Sequence, residues 1–274
     1  MGDAREDLEI QLLLEALCRH YHYDFRNYAR ASVKRRLTQA RKQLGFENFS
    51  AMQERLLHDA TLLPHLLNYL TVQVSEIFRD PSYYRALRET VIPHLRTYPS
   101  LKVWVAGCSN GEELYSLSIL FREEGLDQRT IFYATDINAD ALQAAEAGIY
   151  PLDQVKKYTE NHQKSGGKSS LSDYYTADYG RAVFDRSLRE RVVFSDHSLA
   201  TDSVFAEMHL ISCRNVLIYF DRQLQDRAIG LFRDALAWKG FLGLGAKESL
   251  RFTSHADSFV DFVREAKIYQ KIGR

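Results

Sequence analysis

The stretch that decides the fold is Lys102-Val-Trp-Val-Ala106, which runs directly into Gly107-Cys-Ser-Asn-Gly-Glu-Glu-Leu-Tyr-Ser116. An apolar strand here breaks into a turn with two glycines. Glycine lets the backbone turn sharply and approach a ligand closely, where a side chain would collide. Leucines at helical spacing follow, so the turn lies at a helix N-terminus. The junction predicts an α/β fold in which Gly107 helps to bind a nucleotide-like ligand.

The residues around this turn indicate which ligand fits. A phosphate-binding loop needs Lys-Ser/Thr after the second glycine and a dinucleotide fingerprint needs a third glycine, and neither is present. Instead, Glu112 and Glu113 occupy the first helical turn, where carboxylates are stabilised but repel a pyrophosphate. Asp136 ends the next strand, where an acidic residue commonly binds ribose hydroxyls. An adenosine with a cationic tail and no phosphate is S-adenosylmethionine, so a methyltransferase is predicted. The alternative, helix capping and a simple turn, must explain all these residues together.

Composition is that of an ordinary globular protein. The chain has 274 residues, 45% hydrophobic and 26% charged, with a formal net charge of zero. A neutral chain lacks the basic excess that favours nucleic acid or membrane surfaces. Its apolar runs fall far short of the roughly 18 residues that suggest a membrane span, and its charged N-terminus is unlike a signal peptide. We therefore expect a cytoplasmic location, without nucleic-acid binding or membrane insertion. The three cysteines lack metal-ligand spacing, so no metal is expected.

A change in periodicity predicts two domains. Up to about residue 98 the chain shows helical spacing, and from Leu101 onward strand-like runs alternate with helical segments. The predicted strands lie near 102–106, 130–135, 191–195, 208–213, 241–246 and 267–272. The predicted helices lie near 111–124, 138–147, 221–237 and 255–264. This alternation favours a mostly parallel, doubly wound sheet.

Residues 150–190 interrupt the alternation, because a simple crossover rarely needs so many residues. The segment Ser165-Gly-Gly-Lys-Ser-Ser170 is typical of a mobile loop. The run from Tyr174 to Phe184 is rich in strand-forming aromatic residues. We predict a small inserted β element that serves recognition, with a floppy insertion as the alternative.

A basic run in the helical part suggests a docking surface. Apolar residues recur at helical spacing from Val33 to Leu44 and predict a helix that ends at Gly45. The other faces carry basic residues, with no acidic residue between Phe25 and Phe46. A solvated face normally mixes both signs. One interpretation is a docking surface for an acidic partner, and the other is a merely solvated face.

Four motifs follow one another along the chain, and their order is informative. They are Thr71-Val-Gln-Val-Ser-Glu-Ile-Phe-Arg79, Ala106-Gly-Cys-Ser-Asn-Gly-Glu-Glu-Leu-Tyr-Ser116, Ala134-Thr-Asp-Ile137 and Cys213-Arg-Asn-Val-Leu-Ile-Tyr-Phe-Asp221. With these motifs the chain resembles the CheR family of chemotaxis receptor methyltransferases over nearly its whole length. The resemblance implies an all-α N-terminal domain and a Rossmann-like S-adenosylmethionine-dependent methyltransferase domain with a small inserted antiparallel β subdomain. We expect a helical receptor-docking domain over 1–80, a linker helix over 81–98 and the methyltransferase domain over 99–274, with the insertion at 150–190.

The resemblance also implies an activity. The family transfers the methyl group of S-adenosylmethionine to glutamate side chains on the cytoplasmic helical bundle of chemoreceptors, and the reaction leaves S-adenosylhomocysteine. The enzyme is therefore expected to be recruited to membrane receptor arrays. We expect a monomer and leave a regulatory protein partner open. The implied cofactor-binding residues, with the glycine turn, are Gln73, Ser75, Arg79, Gly107, Glu113, Asp136, Ser198, Leu199, Arg214 and Asn215. Arg79 and Tyr219 are expected beside the reacting carboxylate, and Arg36 and Lys42 fall at receptor-contacting positions of the basic helix.

The chain departs from the family pattern in places. Gln73 and Ser75 stand where the family has Asn and Thr, and Leu114 stands where it usually has Pro. Asn is common at the position of Ser198, so this cofactor contact is the least secure.

Two other functions remain as alternatives. One is an S-adenosylmethionine-dependent RNA methyltransferase, because a basic helix can follow phosphates. Against it, no aromatic stacking motif interleaves with the basic run. The other is an adaptor that binds the cofactor without turnover, against which the presence of Arg79 and Tyr219 argues.

Overall fold

Four amphipathic helices begin the structure, a computed structural model that describes residues 2–273. They are α1 (Gly2–Tyr21), α2 (Arg30–Gln43), α3 (Phe49–His58) and α4 (Leu62–Leu70). Their apolar faces share one buried core, and burial of such faces is the main driving force for a helical bundle. The predicted helix end at Gly45 is confirmed, because Gly45 has the left-handed φ of +77° that favours glycine after a helix.

A second helical segment joins the bundle to the sheet. Pro81 begins α5 (Pro81–Ala86), where proline suits the first turn because it needs no N–H partner. One wide π-helical turn (Leu87–Val91) leads into α6 (Ile92–Leu95). The apolar side chains of this segment belong to the core of the sheet rather than to that of the bundle. The domain limits at residues 80 and 98 stay predictions.

Between residues 2 and 273, ten strands form two sheets. They are β1 (Leu101–Ala106), β2 (Thr130–Asp136), β3 (Ile149–Pro151), β4 (Tyr175–Asp178), β5 (Arg181–Phe184), β6 (Val192–Asp196), β7 (Met208–Cys213), β8 (Leu236–Leu244), β9 (Phe259–Val263) and β10 (Ile268–Lys271). The main sheet has the order β6-β2-β1-β7-β8-β10-β9. Its pairs from β6 to β8 are parallel, and β10 is antiparallel to both neighbours. The strand order reverses beside β1, where such sheets open a ligand crevice.

Three helices cover the two faces of the main sheet in the described chain, and a fourth packs on α5. The three are α7 (Glu112–Glu123), α8 (Ala139–Ala147) and α10 (Arg222–Ala235), and the fourth is α9 (Val155–Lys164). Alternation along β1 sends Val103 and Val105 into the core with α7, and Trp104 and Ala106 into the core with α10. The predicted fold class, an all-α domain before a Rossmann-like sheet with a small antiparallel sheet, is therefore confirmed.

One predicted element is wrong. In place of a helix over 255–264, the chain forms a short 3-10 turn (Ala256–Ser258) and then β9. The sequence Phe259-Val-Asp-Phe-Val263 is rich in β-formers, and pairing with β10 supplies its backbone hydrogen bonds. The six predicted strands are present, and the largest difference at their ends is at β8, which begins at Leu236.

The insertion contains more structure than its sequence indicates. The strands β3, β5 and β4 form the small antiparallel sheet, which confirms the predicted β element, while α9 within the insertion is not predicted. The predicted mobile loop is anchored, because the Lys168 N–H and the Ser169 hydroxyl donate to Glu123 Oε1 at 3.1 and 2.9 Å.

Glu123 is the centre of a buried ionic cluster that fixes the insertion to the sheet. The Arg88 guanidinium contacts Glu123 and, at 3.1 Å, Glu124. Nε2 of His162, on α9, lies 2.9 Å from Glu123 Oε1. Burial raises the pKa of Glu123, but the bonds to His162 and Arg88 outweigh it and hold this pKa at about 2. The cluster therefore joins the linker segment, α7 and α9.

We expect Glu123→Ala to lower the free energy of unfolding by about 3–5 kcal/mol at neutral pH, because it removes the carboxylate that the buried Arg88 guanidinium and the His162 ring share. The folded-state pKa lies below the ordinary 4.5, so this stabilisation is present above that pH and is lost as the pH falls toward 2. Urea unfolding at several pH values measures it. The control is Glu146→Ala, on the exposed side of α8, for which we expect less than about 0.5 kcal/mol. Equal losses for the two variants would contradict this role of the cluster.

Candidate functional site

A cleft lies between the helical bundle and the carboxyl edge of the main sheet. It holds about 830 Å³ of empty space, part of it open to solvent. Its walls come from α2, from the segment after α4 and from the ends of β1, β2 and β7. The predicted site residues that line it are Gln73, Ser75, Arg79, Gly107, Glu113, Asp136, Leu199, Arg214, Asn215 and Tyr219.

The glycine turn forms the floor of the cleft. Gly107 and Gly111 have φ values of +71° and +93°, which favour glycine. A Cβ on Gly107 would lie 2.6 Å from Val216 Cγ2, and one on Gly111 would lie 2.9 Å from Ala145 Cβ. Both glycines are therefore required by backbone conformation and by close packing, and this leaves the turn open to a ligand.

Asp136 lies at the end of β2, buried at the cleft wall. Its Oδ2 accepts the Ser109 N–H at 2.9 Å and its Oδ1 accepts the Asn138 N–H at 3.0 Å. Burial raises the pKa of this carboxyl, and the backbone donors oppose that rise. Each carboxylate oxygen retains a second lone pair, so Asp136 can also accept hydroxyl protons of a ligand.

The two glutamates after the turn have different surroundings. Glu113 lines the cleft, whereas Glu112 is buried outside it, beside Tyr150 of β3. Burial raises the pKa of Glu112 to about 7. Burial also raises the pKa of Glu113, although Arg214 opposes this rise. Only Glu113 can contact a ligand in the cleft.

Arg214 occupies the centre of the cleft wall. Its Nη2 donates to Asp80 Oδ2 at 2.8 Å, and its Nη1 lies 3.5 Å from Glu113 Oε2. The guanidinium also stacks on the Tyr83 ring, 4.2 Å from the centroid. Burial disfavours its charge, but the nearby carboxylates and the two tyrosines Tyr83 and Tyr84 raise its pKa above the ordinary value.

The segment after α4 folds over the glycine turn. Gln73 Oε1 accepts the Ser109 hydroxyl at 2.5 Å, and Arg79 donates to a carbonyl of its own segment at 3.4 Å. Phe78 and Asp80 have left-handed φ values of +54° and +57°. Non-glycine residues in this region store backbone strain, which is common at functional sites.

Arg36 does not lie on an exposed face of α2, and its expected receptor contact stays a prediction. Its side chain lines the cleft and the residue is only 7% exposed. The guanidinium carbon lies 4.5 Å from the Tyr219 ring centroid, and Nη1 donates to the Leu70 carbonyl at 2.5 Å. Arg36 is three residues from Val33 and four from Ala40, so it shares the buried face of α2. The helical spacing therefore indicates that Arg36 is buried, although its charge suggests an exposed position.

The rest of the basic run is divided between pairing and exposure. Arg30 and Lys34 each lie 3.0 Å from a carboxylate oxygen of Asp7, and Arg26 pairs with acidic residues nearby. The solvated-face interpretation suits these residues. Lys42 is exposed, and its docking role stays a prediction.

Ser198 is not among the residues that line the cleft, and its cofactor contact stays a prediction. Its N–H donates to Asp202 Oδ2 at 2.9 Å within a local turn. The neighbouring His197 lines the cleft instead, with its ring packed on Trp104 at a centroid distance of 5.1 Å. Ser198 is also a position at which the chain departs from the family pattern.

Other lining residues were not predicted as site residues, although all except Tyr28 and Leu70 lie within the four motifs. They are Tyr28, Leu70, Thr71, Val72, Val74, Cys108, Ser109, Ile137, Val216 and Phe220. Tyr28 and Phe220, for example, meet with ring centroids 4.9 Å apart, where the Ala29 N–H donates to the Tyr219 carbonyl at 2.8 Å. This contact between the bundle and the loop after β7 joins residues far apart in sequence.

Several buried polar atoms on the cleft lack a hydrogen-bond partner among residues 2–273. They are Arg36 Nη2, Glu113 Oε1, His197 Nδ1 and Arg214 Nη1. Buried polar groups are costly when unpaired, so a ligand that pairs with them is favoured. A free carboxylate oxygen suits an ammonium, and free guanidinium N–H groups suit a carboxylate. A nucleoside with a zwitterionic amino-acid arm, such as S-adenosylmethionine, therefore fits these residues.

Among residues 2–273, no group of three His, Cys, Asp or Glu side chains is placed to hold a metal ion. No helix there is long and apolar enough to cross a membrane.

Comparison with known families assigns both parts of the chain. Residues 8–71 match the CheR methyltransferase all-alpha domain, and residues 73–265 match the CheR methyltransferase SAM binding domain. The chain belongs to the CheR methyltransferase family. The predictions of this family and of an S-adenosylmethionine-dependent methyltransferase domain are thereby confirmed.

Relatives span nearly all of this CheR family chain. A Pseudomonas putida protein with the name "Putative methyltransferase Cher3" is 55% identical and covers 98% of this chain and 99% of its own length. A chemotaxis protein methyltransferase of Listeria innocua is 30% identical over 83% of this chain and 84% of its own. Chemotaxis protein methyltransferase 2 of Vibrio cholerae is 31% identical over 82% of this chain and 80% of its own length.

We expect Asp136→Ala to weaken S-adenosylhomocysteine binding at least about tenfold, because a hydrogen bond to a charged group contributes about 1.5–3 kcal/mol. Isothermal titration calorimetry measures the dissociation constant. Asp136→Asn keeps the shape of the turn and should also lose affinity, and Asp153→Ala, at an exposed position, is the matched control. Unchanged affinity in both Asp136 variants would show that this carboxylate does not hold the cofactor.

Proposed function

We propose that this CheR family member transfers the methyl group of S-adenosylmethionine to glutamate side chains of chemoreceptors and forms glutamate methyl esters. The observation that carries the proposal is that two guanidinium groups, Arg36 and Arg79, line the same cleft as the cofactor candidates Glu113 and Asp136. An anionic carboxylate is the nucleophile that such a cleft suits. The chemotaxis methyltransferases among the relatives support the choice of substrate.

The proposed chemistry needs alignment rather than proton transfer. A glutamate with a pKa near about 4.3 is already ionised at neutral pH, so no general base is required. S-adenosylmethionine supplies an electrophilic methyl group on a sulfonium. As the carboxylate oxygen bonds to the methyl carbon, the carbon–sulfur bond breaks and its electron pair stays on the sulfur. Holding the partners in line and excluding water is worth about 7–11 kcal/mol.

Each cleft residue has a role in that alignment. Glu113 pairs with the ammonium of the amino-acid arm, and Asp136 accepts hydrogen bonds from the ribose. Gln73, Ser75, Gly107, Leu199, Arg214 and Asn215 complete the cofactor site. The planar N–H donors of the Arg79 guanidinium orient the substrate carboxylate. Tyr219, whose ring lies against the Arg36 guanidinium, forms one wall of the path that the methyl group takes.

The helical domain over 1–80 supports docking in this proposal. It contributes Arg36 to the cleft, and exposed Lys42 faces the receptor bundle, which is acidic where glutamates are dense. The RNA alternative is weakened because Arg30 and Lys34 are engaged by Asp7, which removes charge from a phosphate-tracking face. We place the enzyme in the cytoplasm at receptor arrays, as a monomer.

The decisive experiment follows tritium from labelled S-adenosylmethionine into either receptor membranes or total RNA. We expect label on receptor protein that is released as methanol by mild base, because methyl esters hydrolyse there and methylamines do not. A receptor preparation with its glutamates replaced by alanine is the control. Label confined to RNA, base-stable label on protein, or cofactor binding without any transfer would each contradict the proposal.

We expect Arg79→Ala to lower kcat by about a hundredfold, which corresponds to about 2.7 kcal/mol of lost transition-state stabilisation. Its affinity for S-adenosylhomocysteine should change much less, because Glu113 and Asp136 remain. Steady-state methylation and calorimetry separate the two effects. Arg85→Ala, an exposed arginine on α5, is the matched control and should keep full turnover. If Arg79→Ala did so too, Arg79 would have no part in the reaction.

A further inference from the structure

A second cavity lies beside the cleft on the same edge of the main sheet. It holds about 1070 Å³ of empty space, part of it open to solvent. Its walls come from the segment 246–252 after β8 and from the turn between β9 and β10. Because β8 is parallel to β7 and antiparallel to β10, the end of β8 and the start of β10 both lie at the carboxyl edge. We call it the basic cavity.

Positive charge dominates its lining. The cationic residues are Lys247, Arg251, Arg264 and Lys267, against the carboxylates Glu248 and Asp261. Arg264 Nε lies 4.0 Å from Asp261 Oδ2, whereas among the side chains that the structure describes no carboxylate lies within 4.0 Å of the charged groups of Lys247, Arg251 or Lys267. The whole chain has 36 basic and 36 acidic residues, so this local excess is not a general property of its surface. The lining suits an anionic ligand.

Glu248 does not cancel this charge, because its carboxylate is used to build the wall between the two sites. It is buried and accepts the N–H groups of Gly245 at 2.6 Å, Asn215 at 3.0 Å and Ile218 at 3.3 Å. Asn215 lines the cleft and Glu248 lines the basic cavity. One hydrogen-bonded carboxylate therefore separates the two, and a chain segment bound in the basic cavity lies next to the active site.

An aromatic side chain stands at the rim of the basic cavity. Phe252 is 81% exposed, and the Arg222 guanidinium carbon lies 5.8 Å from its ring centroid. A large exposed apolar side chain next to arginine is typical of protein interfaces rather than of small-anion sites. Lys267 has a left-handed φ of +55°, a strained conformation of the kind found in binding clamps.

We propose that the basic cavity docks an acidic segment of the protein substrate that flanks the methylated glutamate. Carboxylates of that segment pair with Lys247, Arg264 and their neighbours, and an apolar side chain packs on Phe252. The inference rests on the proposed function, because it assumes a protein substrate rich in glutamate. It adds a substrate contact outside the cleft and outside the basic helix.

The test compares two charge reversals of equal size. K247E/R264E alters the basic cavity, and R191E/K239E, at exposed positions before β6 and on β8, is the matched control. Methylation of a purified receptor cytoplasmic fragment gives KM and kcat. At low salt we expect K247E/R264E to raise KM about tenfold or more, with kcat affected far less, and the difference should shrink near about 0.5 M salt because exposed charges are then screened.

A second variant guards against misfolding. Phe252→Ser changes one exposed side chain without altering charge, and we expect it to raise KM at both salt concentrations, because it removes an apolar contact. Thermal unfolding of all variants confirms that they fold. A KM in K247E/R264E and in Phe252→Ser no higher than in the control would overturn the inference.

The outcome is separable from that of the proposed function. Failure of the unaltered protein to methylate any receptor contradicts the proposed function, whereas normal methylation with unchanged KM in the variants contradicts only the docking inference. Calorimetry with inorganic phosphate distinguishes a free anion from a protein segment. Tight phosphate binding that K247E/R264E abolishes, together with unchanged KM, would assign the basic cavity to a small anion and overturn the inference.

Discussion

The buried guanidinium of Arg214 is the constraint on which the rest of the site depends. It joins Asp80 before the linker helix, Glu113 at the start of α7 and the end of β7, and it stacks on Tyr83. Removing a charge from water is costly unless carboxylates and hydrogen bonds surround it. Here those partners come from three separate segments. The segments must therefore come together around one cation, and this arrangement brings the glycine turn, the strained segment 73–80 and the motif 213–221 to one cleft.

The same arrangement leaves Glu113 incompletely paired. One of its oxygens lies 3.5 Å from Arg214, and the other has no hydrogen-bond partner in the described part of the chain. Burial then raises the pKa of Glu113. A cationic ligand next to this carboxylate stabilises its charged form, so the cleft favours such a ligand. Arg36 is the counterpart from the helical bundle, buried against Tyr219 with one guanidinium nitrogen unpaired. The described lining of the cleft thus presents unpaired atoms on one carboxylate, Glu113, and on two guanidinium groups, Arg36 and Arg214, which suits an amino-acid arm beside a carboxylate substrate.

Local rules explain what the sequence could predict. The glycine turn, Asp136 at a strand end and the alternation along β1 depend on neighbouring residues, and each was predicted from a short pattern. The helix predicted over 255–264 was wrong because pairing with β10, a contact outside the segment, decides its structure. The basic cavity has no sequence signal for the same reason, because only the pairing of β8 with β10 brings Lys247 and Lys267 to one cavity. Arg36 is different: its spacing from Val33 indicates the buried face of α2, whereas the positive charge of the run favours an exposed one.

The distribution of charge has a consequence for the proposed reaction. Since the net charge is zero, long-range attraction to an acidic receptor is weak, and recognition relies on cations within a few ångströms. Methylation removes the charge of the glutamate, so contacts of Arg36 and Arg79 that favour the substrate are lost in the neutral ester, which favours release from the cleft. Contacts in the basic cavity involve flanking carboxylates that the reaction leaves intact. An enzyme with both sets of contacts would release the modified side chain while it retains the surrounding segment, so a nearby glutamate could enter the cleft before the receptor dissociates.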